Sequence, residues 1–339
     1  MKSGSNRIGS ALRLAQARLD GKLRELPILL VELTARCNAR CVMCDYGRDP
    51  ASRTLRWDQL TEIARQLDEW RVRELVLTGG EPLLHPRLWE FAALCGGRRR
   101  TLLTNGLLLE RQADQVARHC EEVIVSLDGP GPLHDRIRGV PTFAELQRGV
   151  LALQQRSPQL PIRARATVQK LNHGALRATA ETARQLGLRS ISFLALDLTS
   201  TEAFGRSAAP ARAPLALQGE QIDALEAELE ALIADQSLQG FVADSPASLR
   251  RIVQLYRAHE GKASFQSPPC NAPWVSAWLR ADGTAHPCFF HPAYPRAEAQ
   301  TLSATLNHPQ AVAFRRRLRI SDHPVCRRCV CSLHWSPRR

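Results

Sequence analysis

The sequence lacks an apolar run of membrane-spanning length and an N-terminal apolar stretch followed by a cleavage site, so it predicts neither a membrane helix nor a secretory signal. Aromatic residues make up only 5% of its 339 residues, and only four of its 46 basic residues are lysine. The net charge of +13 therefore rests on arginine, which indicates a coding bias more than a nucleic-acid surface. We expect a cytoplasmic protein.

Two arginine triplets, at residues 98–100 and 315–317, are the best candidates for contacts with anions. Neither triplet is interleaved with aromatic side chains, as a groove for single-stranded nucleic acid would be.

Six short apolar or β-branched runs alternate with longer amphipathic stretches, which predicts an α/β fold of successive βα units. These runs lie near residues 29–34, 74–78, 100–103, 122–127, 162–168 and 190–196. Six units predict a partial, TIM-like (β/α)6 barrel that stays open, with its site at the carboxyl ends of the strands. Further helices are predicted over residues 7–23, 220–236 and 245–259.

We predict four segments along the chain. Residues 1–25 form an N-terminal helical extension, and residues 26–200 form the partial barrel. Residues 201–262 are a linker with helices, and residues 263–339 form a small cysteine-rich domain of a β-hairpin and helix.

Three cysteines, Cys37, Cys41 and Cys44, directly follow the first predicted strand. The asparagine and arginine residues between them are poor core material, which favours metal ligands over buried apolar thiols. An iron–sulfur cubane is normally held by four thiolates, so this triplet would leave one iron open to a chelating cofactor. The chain's ten cysteines also favour metal over disulfides, although Cys95 and Cys120 stand apart and are predicted to be packed in the core.

Five further cysteines lie near the end of the chain. Cys270 and Cys288 flank a predicted β-hairpin, and Cys326 and Cys329 form a Cys-x2-Cys pair. A hairpin and a distant pair can build a four-thiolate site, and spacing alone does not separate zinc from an iron–sulfur cluster. Cys331 is left over: it replaces Cys329, stays a free thiol, or donates a proton or hydrogen atom, and we rank Cys329 as the ligand.

The second predicted strand is followed by Gly79, Gly80, Glu81 and Pro82. Two glycines allow close approach of a ligand to the backbone, and the Glu81 carboxylate or nearby carbonyls can accept hydrogen bonds from an ammonium group. A plain turn explains the two glycines equally well.

Polar residues also follow the next two strands and a later loop. Asn105 lies in a turn, and Ser126 and Asp128 are two residues apart, so on a strand they share one side. They suit a ribose diol or an amino-acid head group, and the alternative for Asp128 is a helix cap or turn. The guanidinium of Arg138 suits a carboxylate, although a solvated arginine is the commoner outcome.

The Cys-x3-Cys-x2-Cys spacing after a first strand, with these strand-end motifs in order, resembles the radical S-adenosylmethionine (radical SAM) superfamily. The resemblance implies a [4Fe-4S] cluster on Cys37, Cys41 and Cys44, with S-adenosylmethionine chelating the fourth iron. It further implies cofactor contacts at Gly79, Gly80, Glu81, Pro82, Asn105, Ser126, Asp128 and Arg138.

The pattern Cys-x12-Gly-x4-Cys followed by Cys-x2-Cys resembles the twitch domain, the short form of the SPASM domain. This resemblance implies one auxiliary [4Fe-4S] cluster on Cys270, Cys288, Cys326 and Cys329.

The resemblance implies an iron–sulfur oxidoreductase. An electron donor such as flavodoxin or ferredoxin would start reductive cleavage of S-adenosylmethionine, and the 5′-deoxyadenosyl radical would take a hydrogen atom from substrate. With the auxiliary cluster accepting an electron, the net reaction is dehydrogenation or oxidative modification of a small metabolite. The alternatives are a peptide- or protein-modifying maturase, against which no leader-binding domain is visible, and a non-catalytic zinc or nucleic-acid-binding module.

Overall fold

The computed structural model describes residues 2–48, 53–205, 213–296 and 301–337. It does not describe residues 1, 49–52, 206–212, 297–300 and 338–339. The predictions made for those parts of the four segments therefore lie outside the described residues. The strands are β1 (Ile28–Glu32), β2 (Glu74–Thr78), β3 (Arg99–Thr104), β4 (Glu122–Ser126), β5 (Ile162–Val168), β6 (Ile191–Ala195), β7 (Ser276–Leu279) and β8 (Ala285–His286).

Helices connect and flank these strands. They are α1 (Lys2–Asp20), α2 (Trp57–Gln66), α3 (Leu88–Leu94), α4 (Ala113–His119), α5 (Gly131–Arg138), α6 (Phe143–Arg156), α7 (Leu176–Gln185), α8 (Glu220–Ala234), α9 (Pro246–His259), α10 (Ala272–Val275), α11 (Leu302–Leu306), α12 (Pro309–Arg317) and α13 (Pro324–Arg327). Short 3-10 turns lie at Tyr46–Arg48, Pro82–Leu84, Ala213–Leu215 and Gln236–Leu238.

The strands form one open sheet in the order β6-β5-β4-β3-β2-β1-β7-β8. Strands β1 to β6 pair with their sequence neighbours in parallel, and helices separate them along the chain. Parallel strands joined by right-handed crossovers bring all their carboxyl ends to one rim. The six predicted strands and the partial barrel are therefore confirmed.

The predicted hairpin is present, and it joins the barrel sheet. Strand β7 pairs in parallel with β1, which places Trp278 opposite Leu30, and β8 returns antiparallel to β7. Gly283 adopts a φ of +80° in the turn between them. An open six-stranded barrel leaves the edge of β1 unpaired, and the C-terminal segment covers that edge.

The two ends of the chain pack against each other. The backbone amide of Leu23 donates a hydrogen bond to Oδ1 of Asn307 at 2.9 Å, and Nε of Arg315 donates to the carbonyl of Gly21 at 2.6 Å. Arg315 is 1% exposed, so this arginine is a core residue of the junction. Among the helices described, none combines the length and apolar character needed to span a bilayer.

The two isolated cysteines and the first arginine triplet have structural roles. Cys95 and Cys120 are buried, as predicted. Each of the three arginines at 98–100 forms an ion pair with a carboxylate. These guanidinium groups therefore already have anionic partners within the protein.

Candidate active site

The loop that carries the cysteine triplet is held on one side by the end of β2. The amide of Gly80 donates to the carbonyl of Thr34 at 2.8 Å. A Cβ atom on Gly79 would lie 2.4 Å from the Thr34 oxygen, and one on Gly80 would lie 2.4 Å from the oxygen of Arg36. Both contacts are far shorter than van der Waals contact, so these positions require glycine because the cysteine loop packs directly on them.

The carboxyl end of α5 holds the same loop on its other side. The amides of Arg40 and Val42 donate to the carbonyls of Arg138 and Ile137, both at 3.0 Å. Gly139 ends the helix with a φ of +70°, and a Cβ there would lie 2.2 Å from the Arg40 oxygen. The loop is thus clamped between β2 and α5, and its backbone amides satisfy the last carbonyls of the helix.

The three thiols of this loop, on Cys37, Cys41 and Cys44, face one cavity of about 250 Å³ at the carboxyl ends of the strands. Burial raises the pKa of Cys37 to about 11 and that of Cys44 to about 12. The side-chain amide of Asn105 donates to the Cys37 sulfur, and Nη1 of Arg138 donates to the Cys41 sulfur, each at 3.7 Å. Three sulfurs on one cavity, two of which accept polar hydrogens, fit thiolate ligands of a metal cluster, since a metal replaces the thiol protons.

Arg138 lies on the cavity wall, but its guanidinium already has a partner. Nη2 is 2.5 Å from Oδ2 of Asp128, whose other carboxylate oxygen accepts the amide hydrogen of Thr167 at 2.7 Å. Burial alone would lower the pKa of Arg138, and the charges of Asp128 and Cys41 hold it above its ordinary value. The structure therefore places Asp128 behind Arg138 and leaves Ser126, which does line the cavity, as the polar group at the end of β4.

Glu81 is also engaged within the protein. Its carboxylate accepts hydrogen bonds from the amide of Leu83 at 3.1 Å, the hydroxyl of Thr104 at 2.9 Å and the amide of Asn105 at 2.8 Å. Burial raises its pKa to about 7. Glu81 therefore ties the end of β2 to the end of β3, and Pro82 starts the buried turn beside it. Of this segment, Thr78, Gly79 and Gly80 line the cavity, whereas Glu81 and Pro82 are not among its lining residues.

The C-terminal cysteines divide between two sites. Cys270, Cys288, Cys326 and Cys329 line a second, smaller pocket, whereas Cys331 lines the main cavity. Burial raises the pKa of both Cys288 and Cys326 to about 12. Four thiols around one pocket fit a four-thiolate centre.

One aromatic residue belongs to both pockets. Phe290 lines the main cavity and also the pocket of the four C-terminal thiols. Val330, between Cys329 and Cys331, lies on the wall of the main cavity. The two thiol sites are thus neighbours, with a thin apolar wall between them.

Several cavity residues were not found from the sequence. Arg165 lines the cavity from β5, and its Nε donates to the hydroxyl of Ser192 at 3.4 Å. Tyr46 lines it from the turn after the triplet and donates to buried Glu32 at 2.5 Å. The sequence signal is the alternation of apolar and polar residues along β5, which places Arg165 on the face opposite to the buried Ala164 and Ala166.

Two profile matches cover the seven cysteines that line the two thiol sites apart from Cys331. Residues 31–163 match the radical SAM superfamily, and residues 270–330 match SPASM, described as an iron–sulfur cluster-binding domain. The chain carries a radical SAM domain followed by a SPASM domain. The radical SAM domain implies a [4Fe-4S] cluster and S-adenosylmethionine, and the SPASM domain implies auxiliary iron–sulfur binding, as predicted.

Curated relatives match part of the chain. An AdoMet-dependent heme synthase of Methanosarcina barkeri is 34% identical over 165 residues, which is 46% of this chain and 46% of that protein. The radical SAM chain spans about half the length of the curated relatives it matches.

Solved structures share the fold at low sequence identity. The structure of anSMEcpe with bound AdoMet has a TM-score of 0.65 at 18% identity and covers 89% of this chain and 86% of that one. Streptococcus suis SuiB bound to precursor peptide SuiA has a TM-score of 0.63 at 13% identity and covers 97% and 78%. The radical SAM fold with its C-terminal extension is thus shared along most of the chain.

Proposed function

We propose that this protein is a radical SAM enzyme that removes a hydrogen atom from a substrate C–H bond and completes a net oxidation. The observation that carries the proposal is the pair of adjoining thiol sites, one at the end of β1 and one beyond Phe290. A substrate in the main cavity would lie between them. When bound, the two clusters and S-adenosylmethionine would supply a 5′-deoxyadenosyl radical and an acceptor for one electron.

We assign the ligands from the cavity geometry. Cys37, Cys41 and Cys44 would hold the first cluster, and Cys270, Cys288, Cys326 and Cys329 would hold one auxiliary cluster. Four residues on the wall of the main cavity are available to contact S-adenosylmethionine: Gly79, Gly80, Asn105 and Ser126.

The remaining residues position the triplet and shield the cavity. Arg138 and Asn105 direct hydrogens at two of the three sulfurs, which fixes the orientation of those side chains. The aromatic rings of Trp278, Phe289 and Phe290 also line the cavity and would limit the access of water to it. Cys331 also lines this cavity. It is the candidate donor of a proton or hydrogen atom, and a hydrogen atom from its thiol would quench the substrate radical in place of the net oxidation.

The main cavity is the space that S-adenosylmethionine and a substrate would share. We propose a small metabolite as the substrate and a flavodoxin- or ferredoxin-like protein as the electron donor. The second candidate is a peptide presenting one side chain, which is supported by SuiB, a fold relative whose structure holds a precursor peptide.

The test uses anaerobically reconstituted full-length protein, S-adenosylmethionine and dithionite. We expect visible iron–sulfur absorbance and formation of 5′-deoxyadenosine, and loss of that product when Cys37, Cys41 and Cys44 are all replaced by alanine. Cys95→Ala is the matched control, because Cys95 is buried outside both thiol sites. Protein that holds only zinc, or a triple variant that still cleaves the cofactor, would refute the proposal.

A second variant separates the two clusters. Cys270→Ala should lower iron and sulfide by one cluster and leave reductive cleavage of S-adenosylmethionine intact, because Cys270 lines only the smaller pocket. Loss of cleavage in Cys270→Ala, with the first cluster still assembled, would contradict a role limited to electron acceptance.

A further inference from the structure

One histidine lies against a cysteine of the smaller pocket. Nε2 of His291 is 3.3 Å from Sγ of Cys326, and His291 is only 2% exposed. Its ring packs on Phe314 with centroids 5.0 Å apart and on His323 with centroids 4.7 Å apart. The ring is therefore held in place by packing as well as by this polar contact.

The chemistry of the sulfur decides which atom carries the hydrogen. A thiolate bound to iron has no hydrogen to donate, so a ring nitrogen at this distance must donate to it. The backbone carbonyl of His291 accepts a hydrogen bond from Nδ1 of His286 at 2.9 Å, which fixes the main chain of the same residue. The N–H group is thus aimed at Cys326 by contacts on the ring and on the backbone.

Three groups here lie close enough to hold a metal ion directly, namely His291, His323 and Cys326, whose ligand atoms lie within 4.8 Å of one another. The contacts of His323 disfavour such a site. Its Nδ1 accepts the amide hydrogen of Val325 at 3.3 Å, so the neutral ring carries its hydrogen on Nε2 and has no lone pair there.

We propose that His291 is a positioning residue that donates a hydrogen bond from Nε2 to the Cys326 thiolate and thereby raises the reduction potential of the auxiliary cluster. This inference rests on the proposed function, in which that cluster accepts an electron. A hydrogen bond to a ligand sulfur reduces its negative charge, which favours the reduced cluster with its extra electron.

A second polar group supports the same effect. Nη1 of Arg251 donates to the carbonyl of Cys329 at 2.9 Å, which places a positive charge beside another ligand of the pocket. Both groups favour added negative charge on the cluster, as an electron acceptor requires. Arg251 acts through its charge, whereas His291 contacts the sulfur directly. Substitutions at His291 therefore test the hydrogen bond to sulfur and leave the charge of Arg251 in place.

The experiment compares His291→Phe with His291→Gln in the full chain. Phenylalanine keeps an aromatic ring against Phe314 but has no N–H, and glutamine places an amide N–H near the position of Nε2. Both are made in the background in which Cys37, Cys41 and Cys44 are alanine, so that only the auxiliary cluster titrates. Iron, sulfide and zinc are counted, and the potential is measured by anaerobic redox titration followed by electron paramagnetic resonance.

At one fixed solution potential near the midpoint of the background protein, we expect the ratio of reduced to oxidised cluster to fall about fivefold in His291→Phe. In His291→Gln it should stay within about twofold of the background. An unchanged ratio in His291→Phe overturns the inference alone. A background protein with no auxiliary cluster overturns the proposed function as well, and a stoichiometric zinc ion that requires His291 overturns the inference.

A spectroscopic measurement covers the case in which His291→Phe fails to assemble its cluster. Protein labelled with 15N-histidine and otherwise unaltered at His291 is examined by electron–nuclear double resonance. A weak 15N coupling, together with an exchangeable proton lost in D2O, supports a hydrogen bond to sulfur. A strong 15N coupling typical of a direct iron ligand, or no coupling at all, overturns it.

Discussion

Replacing Gly139 by alanine tests how the cysteine loop is held. Gly139 adopts a φ of +70° at the end of α5, and a Cβ there would lie 2.2 Å from the carbonyl oxygen of Arg40. Gly97 is a matched control, because it has a φ of +77° and no atom within 4 Å of its added Cβ. Both substitutions strain the backbone, but only Gly139→Ala also pushes against the loop.

The two substitutions should lower the free energy of unfolding by different amounts, because only Gly139→Ala weakens the hydrogen bonds that hold the loop. Forcing alanine into the left-handed region costs about 1–2 kcal/mol, which is the whole effect expected for Gly97→Ala. At Gly139 the loop must also move, which weakens the bonds that Arg40 and Val42 donate to the helix end. At about 1 kcal/mol each, their loss brings the total for Gly139→Ala to about 3–4 kcal/mol.

Two measurements check this prediction. The free energy of unfolding is obtained from anaerobic urea titrations, and iron is counted after reconstitution. Gly139→Ala should lose iron from the first cluster and retain the auxiliary cluster. The reason is that none of the residues lining the smaller pocket belongs to the loop of the cysteine triplet. If Gly139→Ala is no less stable than Gly97→Ala and binds as much iron, the clamp is not what positions the triplet.

Two further predictions concern the C-terminal thiols and a buried carboxyl. Cys329→Ala should lose one cluster of iron and Cys331→Ala should not, because only Cys329 lines the smaller pocket; the reverse pattern would exchange their roles. Burial raises the pKa of Glu81 from 4.5 to about 7, so the folded state keeps a proton that the unfolded chain releases, and stability should fall as pH rises from about 4.5 to about 7. Glu81→Gln should remove this decrease in the free energy of unfolding, which is at most about 3 kcal/mol. Urea unfolding of both proteins at pH 5 and pH 7 measures it. If the free energy of unfolding changes equally with pH in both proteins, Glu81 is ionised throughout.

Local sequence signals predicted much of the barrel and the first thiol site. Each strand from β1 to β6 is a short apolar or alternating run, and such periodicity reports directly on burial. The spacing of Cys37, Cys41 and Cys44 requires no tertiary information, because one short loop carries all three.

Roles that depend on residues far apart in sequence were not predictable in this way. Asp128 was predicted to face the cofactor, yet its carboxylate pairs with Arg138, which a helix brings back to the end of β4. Glu81 was predicted to accept from an ammonium group, yet three donors from its own neighbourhood already surround it. A position at the end of a strand predicts that a residue lies at the rim of the barrel. It does not predict whether the side chain faces the cavity or bonds to neighbouring protein groups.

The sequence by itself determined the family, the six strands and the grouping of the thiols, because these are encoded in local composition and spacing. Only the tertiary structure decided that β7 joins β1, that Cys329 and Cys331 face different pockets, and that His291 meets Cys326. Each of these depends on where a distant segment packs. Two cysteines that are separated by one residue carry no local signal of which pocket each will face, and the fold around Val330 makes that choice.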